Sequence, residues 1–179
     1  MKRILLAVVC AMVATVACGQ SAFVTLDPGQ EAWWVRARFN PRHTQVRGIP
    51  VVHIREDWCK ASEFTRDAIP RELLNEGGSD IMAEVGFGFA VQGHFDRSKT
   101  SQVALTGVYE TCGGERGSFL LILDKGTQRV RFLDAQKSAH QFAALKADGS
   151  TIRVVYCMEC NVGATVRWDP GRMAFRLRR

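Results

Sequence analysis

Short apolar runs recur along the second half of the chain, and turn-prone segments separate them. This rhythm is typical of antiparallel β-strands joined by short connections. Several connections carry residues that favour tight turns, such as Asp169-Pro170-Gly171. The pattern predicts a mainly-β fold, an antiparallel meander with one or two short helices. The predicted strands cover residues 84–91, 102–110, 118–123, 129–133, 152–157, 164–168 and 173–177.

Residues 33–39 alternate between apolar and polar side chains, which predicts a half-buried strand. Two interpretations of its outer face are open. Tryptophan beside arginine is frequent at binding hot spots, but the same side chains also cover sheet surfaces through cation–π contacts. The predicted strand carries Val35, Ala37 and Phe39 on one face and Trp34, Arg36 and Arg38 on the other.

A second β-prone run spans residues 49–54. Residues 61–75 instead place apolar side chains at helical spacing, which predicts a helix. Pro70 interrupts this pattern, so either the helix kinks there or a second short helix starts at Pro70. Gly77-Gly78 would end the helical stretch.

Residues 87–110 combine Phe87-Gly88, Gly93, Val103-Ala104-Leu105 and Gly107. This arrangement resembles a degenerate blade unit of the FG-GAP/VCBS type found in bacterial β-propellers. The resemblance implies blade-like strand units, here too few to close a propeller, so it predicts a partial, propeller-like sheet. An ordinary hairpin with a long solvent-facing turn is the alternative interpretation of the same residues.

The turn of that family binds calcium through oxygen ligands at alternate positions. The matching positions in this chain are His94, Asp96 and Ser98, and Ser101 stands where the family has a later aspartate. One carboxylate, a hydroxyl and an imidazole make a poor site for a hard cation. We therefore expect no calcium at this turn, and the sequence indicates no other cofactor or metal.

The N-terminus has the pattern of an export signal, with basic Lys2 and Arg3 before an uncharged, mostly apolar run. The end of this run resembles a bacterial lipobox, which implies lipidation of Cys18 and the periplasmic side of the outer membrane. Cleavage after Ala17 or Gly19 by an ordinary signal peptidase is the alternative, and it would give a periplasmic or secreted protein. The predicted organisation is an export signal (1–17), a tether (18–32) and one β-rich domain (33–179).

Four cysteines remain outside the signal and its border, an even number that suits an oxidising compartment. Three pairings are possible, and we predict disulfides between Cys59 and Cys112 and between Cys157 and Cys160. A Cys₄ zinc site is one alternative, although a second CxxC motif is missing. A redox-active Cys157-x-x-Cys160 is another, although a strand and a turn flank the motif instead of a strand and a helix.

With Lys2 and Arg3 removed along with the signal, 22 basic and 18 acidic residues remain, a net charge of +4. This moderate excess differs from the clustered charge of nucleic-acid-binding proteins, so we expect no nucleic-acid partner. Anionic lipid, anionic wall polymer or an acidic protein would suit a basic surface. An ordinary soluble surface is the alternative.

No catalytic pattern stands out in the sequence. The four histidines, at positions 43, 53, 94 and 140, are dispersed without metal-ligand spacing. The glycine-rich segment 112–117 lacks the Lys-Ser/Thr of a phosphate-binding loop and is predicted to join two strands. We therefore expect a protein that binds rather than catalyses.

The leading hypothesis is a non-enzymatic binding protein of the cell envelope, attached to the membrane by lipid, with a protein partner. Its specific version is an inhibitor or immunity protein against a wall-degrading enzyme, with residues 94–101 or 112–117 entering the enzyme's cleft. The alternatives are an unrecognised envelope hydrolase, or a structural part of an envelope assembly that exposes Trp33 or Trp34. The candidate binding residues are His94, Asp96, Ser98, Glu115 and Arg116. The hydrolase would draw on Asp57, Glu84, Glu110, His53 and His94.

Overall fold

The structure, a computed structural model, describes residues 23–26, 32–74, 81–137, 141–158 and 162–179. The predicted export signal, Cys18 and Cys160 lie outside the described residues. Phe23–Leu26, within the predicted tether, forms a strand (β1) that pairs with Ala37–Asn40 (β2). Part of the segment predicted as a tether is therefore paired with β2.

The N-terminal half contributes short elements that flank the larger sheet. Two further strands form a hairpin, β3 (Gln45–Val46) and β4 (Ile49–Pro50). Its two-residue turn, Arg47-Gly48, has positive φ at both positions, as a type I′ hairpin turn requires. The helical elements of the described chain are α1 (Trp33–Arg36), α2 (Val51–Ile54), a 3₁₀ turn (Arg66–Ala68), α3 (Arg71–Leu74) and α4 (Ile81–Glu84).

The larger sheet has five antiparallel strands with β7 at its centre: β5 (Trp58–Glu63), β6 (Ala90–Gly93), β7 (Gln102–Thr111), β8 (Arg116–Asp124) and β9 (Val130–Gln136). One edge of β7 pairs with β8 along its whole length, and the other edge pairs first with β6 and then with β5. β9 follows β8 on the far side.

The second sheet is a four-stranded meander in which each strand pairs with the next along the chain. One face of this sheet packs on the larger sheet, where Ala104 and Ile122 contact Ile152 and Val166 in one apolar cluster. A second cluster covers the opposite face of the larger sheet, so β7 and β8 are buried on both sides. The strands are β10 (Ala144–Asp148), β11 (Thr151–Val155), β12 (Gly163–Asp169) and β13 (Ala174–Arg178).

The predicted mainly-β antiparallel meander is confirmed, and six strands of the second half lie close to their predicted positions. The hairpin predicted around residues 94–101 is formed by β6 and β7 with the register Ala90↔Leu105. Gly107 occupies a crowded site in β7, where a side chain would collide with the Ser62 carbonyl oxygen and the Phe119 ring. The strand predicted over residues 84–91 is largely wrong, because α4 and a turn occupy its first half and only its end joins β6.

Three predictions in the N-terminal half are wrong in part. Residues 33–39 begin with the helical turn α1, which directs both Trp33 and Trp34 into the core, where they are 1% and 7% exposed. Trp34 is therefore absent from the outer face on which the predicted strand placed it, and neither tryptophan forms an exposed patch. Residues 61–63 complete β5 instead of starting a helix, although a short helix does begin just after Pro70. Of residues 49–54 only the first two are a strand, and the rest form α2.

Candidate binding site at one end of the larger sheet

The two turns that carry the candidate binding residues lie at opposite ends of β7. Residues 94–101 precede the strand and residues 112–115 follow it. The ten residues of β7 span roughly 30 Å at ~3.3 Å per residue. His94, Asp96 and Ser98 therefore belong to one end of the sheet, and Glu115 and Arg116 belong to the other.

A buried glutamine organises the turn formed by residues 94–101. The Gln102 side chain is fully buried, and its Oε1 accepts hydrogen bonds from the backbone N–H of Phe95 at 2.8 Å and of Asp96 at 3.4 Å. Its Nε2 donates to the Thr100 carbonyl oxygen at 2.8 Å. The Phe95 ring is fully buried beneath the turn. One side chain thus links both ends of the turn and fixes its backbone.

Asp96 fixes the same turn through its carboxylate. Oδ1 accepts the Ser98 backbone N–H at 2.9 Å, and Oδ2 accepts Arg131 Nη2 at 3.1 Å. Arg131 also donates to both oxygens of Asp124 and lies over the Trp168 ring. Burial acts to raise the pKa of Asp96, but hydrogen bonds from Ser98 and the charge of Arg131 outweigh it and hold the pKa below its usual value. The Arg131 guanidinium thus binds the one carboxylate that matches a calcium ligand of the FG-GAP/VCBS turn.

The outward side of this turn is basic. Arg97 and Lys99 are exposed, and no carboxylate among the described residues lies within ion-pair distance of either. Arg97 has a φ of 62°, a left-handed conformation that is uncommon for residues other than glycine. His94 is also exposed, and its Nδ1 lies 3.2 Å from the Thr100 carbonyl oxygen. The turn therefore presents cations from a backbone that its own hydrogen bonds hold in place.

A cleft of about 480 Å³ lies beside this turn, on the face of the larger sheet opposite the second sheet. Its floor is apolar and its rim is polar, the usual combination for a binding cleft. The Gln92 side chain on the rim donates to Ser101 Oγ at 3.1 Å, which joins the cleft to the turn. The cleft is lined by Arg47, Ala90, Val91, Gln92, Val103, Leu123, Asp124, Lys125 and Gln128.

The rim of the cleft includes two strained residues that contact each other. Arg47 and Gln128 have φ values of 52° and 56°, and Gln128 Nε2 donates to the Arg47 carbonyl oxygen at 2.8 Å. The Arg47 guanidinium binds Glu63 at 2.7 Å. Non-glycine residues in the left-handed region are enriched at functional sites, where neighbouring contacts hold them. These contacts fix the β3–β4 turn over the cleft.

At the other end of β7, the charged residues of the turn form ion pairs within the protein. Glu115 binds Lys137 at 2.6 Å, and Arg116 binds Glu110 at 2.6 Å. Burial acts to raise the pKa of Glu110, but hydrogen bonds from Arg116 and Lys60 outweigh it and lower the pKa. Glu115 and Arg116 are therefore engaged within the protein, in contrast to Arg97 and Lys99.

The predicted disulfide between Cys59 and Cys112 is confirmed at this same end. It links β5 to the residue that follows β7. Cys157 is also disulfide-bonded, and its predicted pairing with Cys160 stays a prediction because Cys160 lies outside the described residues. Within the described part of the chain, no group of three or more His, Cys, Asp or Glu side chains is placed to hold a metal ion.

The groups named for the hydrolase alternative are spread over the molecule. Asp57 binds Arg55 at 2.9 Å, and Glu110 binds Lys60 and Arg116 at one end of β7. His94 lies at the other end of β7. The described structure does not bring these acids and His94 into one pocket.

Sequence reasoning found the turn but missed the residues that shape it. Gln102, Arg131 and Arg47 carry no motif, and their partners lie 7, 35 and 16 residues away in the sequence. The placement of Gln102 directly after the turn and before an apolar run is the one local signal that could have drawn attention to it.

No family model, no curated protein and no solved structure matches this chain. None of the helices in the described part of the chain is both long and apolar enough to cross a bilayer.

Proposed function

We propose that this chain is a non-catalytic binding protein of the cell envelope that recognises an acidic protein through residues 94–101 and the adjacent cleft. The observation that carries the proposal is the preorganised turn, in which Gln102 and Asp96 fix the backbone. Arg97 and Lys99 face outward from it, and no carboxylate of the described residues pairs with either. A turn that is already ordered loses little conformational entropy on binding, which favours affinity. Exported, lipid-anchored localisation through Cys18, on the periplasmic side of the outer membrane, completes the proposal.

The specific form of the proposal is an inhibitor or immunity protein against a wall-degrading enzyme. Enzymes that cleave glycosidic bonds generally place two carboxyl groups in a substrate cleft. A turn with two exposed cations, Arg97 and Lys99, is complementary in charge to such a cleft. The Gly113-Gly114 turn at the other end of the sheet fits less well, because the neighbouring Glu115 and Arg116 are held in ion pairs.

The alternative of an unrecognised hydrolase gains no support from the geometry, because its candidate acids and His94 are separated. The turn and the cleft are instead joined by shared contacts at Ser101. The Gln92 side chain donates to Ser101 Oγ, and the Lys125 backbone N–H donates to the Ser101 carbonyl oxygen at 2.9 Å.

Reversing the charge of the turn tests the proposal. The double variant Arg97→Glu/Lys99→Glu would face enzyme carboxylates with like charge, and we expect its inhibition constant to rise roughly 100-fold or more. The measurement is clearance of purified peptidoglycan by a panel of muramidases and other glycosidases, titrated with wild type and variant. Circular dichroism would check that the fold is retained, because neither side chain contributes to the core.

The matched control is Arg153→Glu/Arg178→Glu, which changes the net charge by the same amount on the second sheet. We expect this control to inhibit like the wild type. Equal loss of inhibition in both variants would show a non-specific charge effect. A panel in which the wild type slows no enzyme at molar excess would contradict the inhibitor form of the proposal.

A further inference from the structure

The second sheet has one apolar face and one strongly basic face. Its apolar face, with Ile152, Val154 and Val166, packs against the larger sheet. Side chains alternate along a strand, so the intervening residues point away from this core. On β11, β12 and β13 the outward residues include Arg153, Arg167, Arg176 and Arg178, and all four are exposed.

The register brings these arginines into one compact array. Arg167 lies directly opposite Arg176, and Arg153 and Arg178 lie on either side of Thr165 in the adjacent row. Like charges directly opposite each other on neighbouring strands destabilise a sheet. Asp169 offsets part of this repulsion, since it lies 3.5 Å from Arg176. Folding alone therefore gives no reason for the arrangement.

The array carries a large share of the charge of the molecule. Arg153, Arg167 and Arg178 have no carboxylate of the described chain within ion-pair distance. Asp148 and Asp169 are the acids on this face. The basic residues on or beside it are Lys146, Arg153, Arg167, Arg172, Arg176 and Arg178, so the face has a net charge of +4.

Exposed apolar side chains lie at the two ends of β12. Met173, in the turn between β12 and β13, is 75% exposed, and Val162, just before β12, is 60% exposed. Both are therefore next to the strand that carries Arg167. Basic residues combined with exposed apolar side chains are the features by which peripheral proteins bind membrane surfaces.

We propose that the outer face of β10–β13 binds the surface of an anionic phospholipid bilayer. The arginines would contact lipid phosphates, and Met173 and Val162 would enter the headgroup region at the two ends of β12. Arg167, Arg176 and their neighbours form a broad array rather than a pocket, which suits many equivalent phosphates better than one small anion. This surface is separate from the turn at residues 94–101, so the inference does not rest on the proposed function.

The experiment is sedimentation of the full chain with vesicles of phosphatidylcholine containing 30% phosphatidylglycerol, compared with phosphatidylcholine alone. All variants carry Cys18→Ser, which removes any acyl chain. They also share the same N-terminal segment, so any vesicle binding by that segment is equal in all of them. Each arginine near an anionic surface contributes roughly fivefold to the partition coefficient. We therefore expect Arg153→Glu/Arg178→Glu to lower partitioning onto anionic vesicles at least roughly 30-fold, with little change on neutral ones.

The control is Arg97→Glu/Lys99→Glu, which changes the net charge equally but lies in the other turn, and we expect its partitioning to stay within about threefold of the wild type. Equal losses in the two double variants would overturn the proposal, because binding would then follow net charge alone. Unchanged partitioning of the Arg153/Arg178 variant would also overturn it. A thermal melt of each variant would exclude unfolding as the cause.

A second variant distinguishes a bilayer from an acidic polypeptide. Met173 has a φ of 51°, which asparagine tolerates well, so Met173→Asn should fold normally while losing its apolar side chain. We expect this variant to bind anionic vesicles severalfold more weakly and to bind soluble poly-glutamate like the wild type. A preference for poly-glutamate over vesicles at equal charge concentration that Arg153→Glu/Arg178→Glu loses and Arg97→Glu/Lys99→Glu keeps would assign the face to an acidic protein and overturn the proposal.

Discussion

The Asp96 carboxylate links the candidate turn to the body of the protein. Its pKa lies below the usual value in the folded state: burial raises it, and hydrogen bonds from Ser98 and the Arg131 charge more than compensate. A carboxyl whose pKa falls on folding stabilises the protein above its unfolded pKa of about 4, and this contribution disappears as the pH falls through the folded value. Ionised Asp96 therefore stabilises the protein at neutral pH and loses that effect in acid.

The variant Asp96→Asn tests this contribution. We expect it to lose about 1–2 kcal/mol of unfolding free energy at pH 7, because Arg131 loses one of its two carboxylates. The difference from the wild type should shrink as the pH falls below about 4. Urea unfolding at several pH values measures both effects, with Asp67→Asn, an exposed site, as control. A difference that stays constant down to pH 2 would contradict the ion-pair explanation.

Local sequence gives the position of this turn but not its contacts. The polar run between two apolar strands predicts a hairpin connection, and the structure has one at that place. The partners of the turn depend on how β8 and β9 pair, since Arg131 reaches Asp96 only after Ile122 and Phe132 lie opposite each other. Long-range pairing of this kind leaves no signal at Asp96 itself.

At the scale of elements, local preference failed where tertiary packing decided the outcome. Alternation over residues 33–39 predicts a strand, yet burial of both Trp33 and Trp34 in one cluster requires a helical turn. The predicted helix over residues 61–75 fails because β5 continues to Glu63, where it pairs with Gly107 of β7. The regularly spaced strands after residue 102 were predictable because turn residues and alternation agree there, although β10 was missed.

The disulfide between Cys59 and Cys112 joins β5 to the end of β7, 53 residues later. A cross-link that closes a loop of this length is expected to stabilise a protein by roughly 2–4 kcal/mol, mainly by restricting the unfolded chain. We expect Cys59→Ser/Cys112→Ser to lose stability of this size while keeping the strands, because backbone pairing between β5 and β7 surrounds the site.

Guanidinium unfolding of the double-serine variant beside the wild type measures this loss. The wild type with reductant serves as a further comparison, since reduction removes the same cross-link without changing the chain elsewhere. A variant that is as stable as the oxidised wild type would show that the cross-link is dispensable. The cleft lies at the other end of the sheet, so its ligand binding should not change.

At the scale of the whole molecule, the two proposed binding surfaces lie on different sheets. The basic turn and cleft lie at one end of the larger sheet, and the arginine array lies on the outer face of the second sheet. The shared apolar cluster, including Ile122 and Ile152, holds the two sheets together. A protein that meets a membrane with one sheet and a partner with the other needs this packing to keep the two surfaces in a fixed relation.

The shared cluster predicts that the two sheets unfold as one cooperative unit. Ile122 in β8 is fully buried and belongs to the cluster that also contains Val154 and Val166 of the second sheet. Truncation of such a side chain costs about 2–5 kcal/mol, so we expect Ile122→Ala to destabilise the protein by that amount. Because the core is shared, slowly exchanging amides of β8 and of β12 should lose equal protection in hydrogen exchange.

The matched control is Val52→Ala at an exposed position of α2, which should change stability by less than about 0.5 kcal/mol. Loss of protection confined to β7 and β8, with β11 and β12 unaffected, would show that the sheets are separate units. In that case a partner bound at residues 94–101 could move relative to the proposed membrane-binding face. Equal loss in both sheets would instead mean that Ile122 and its neighbours fix the orientation of the turn at residues 94–101 relative to the arginine array.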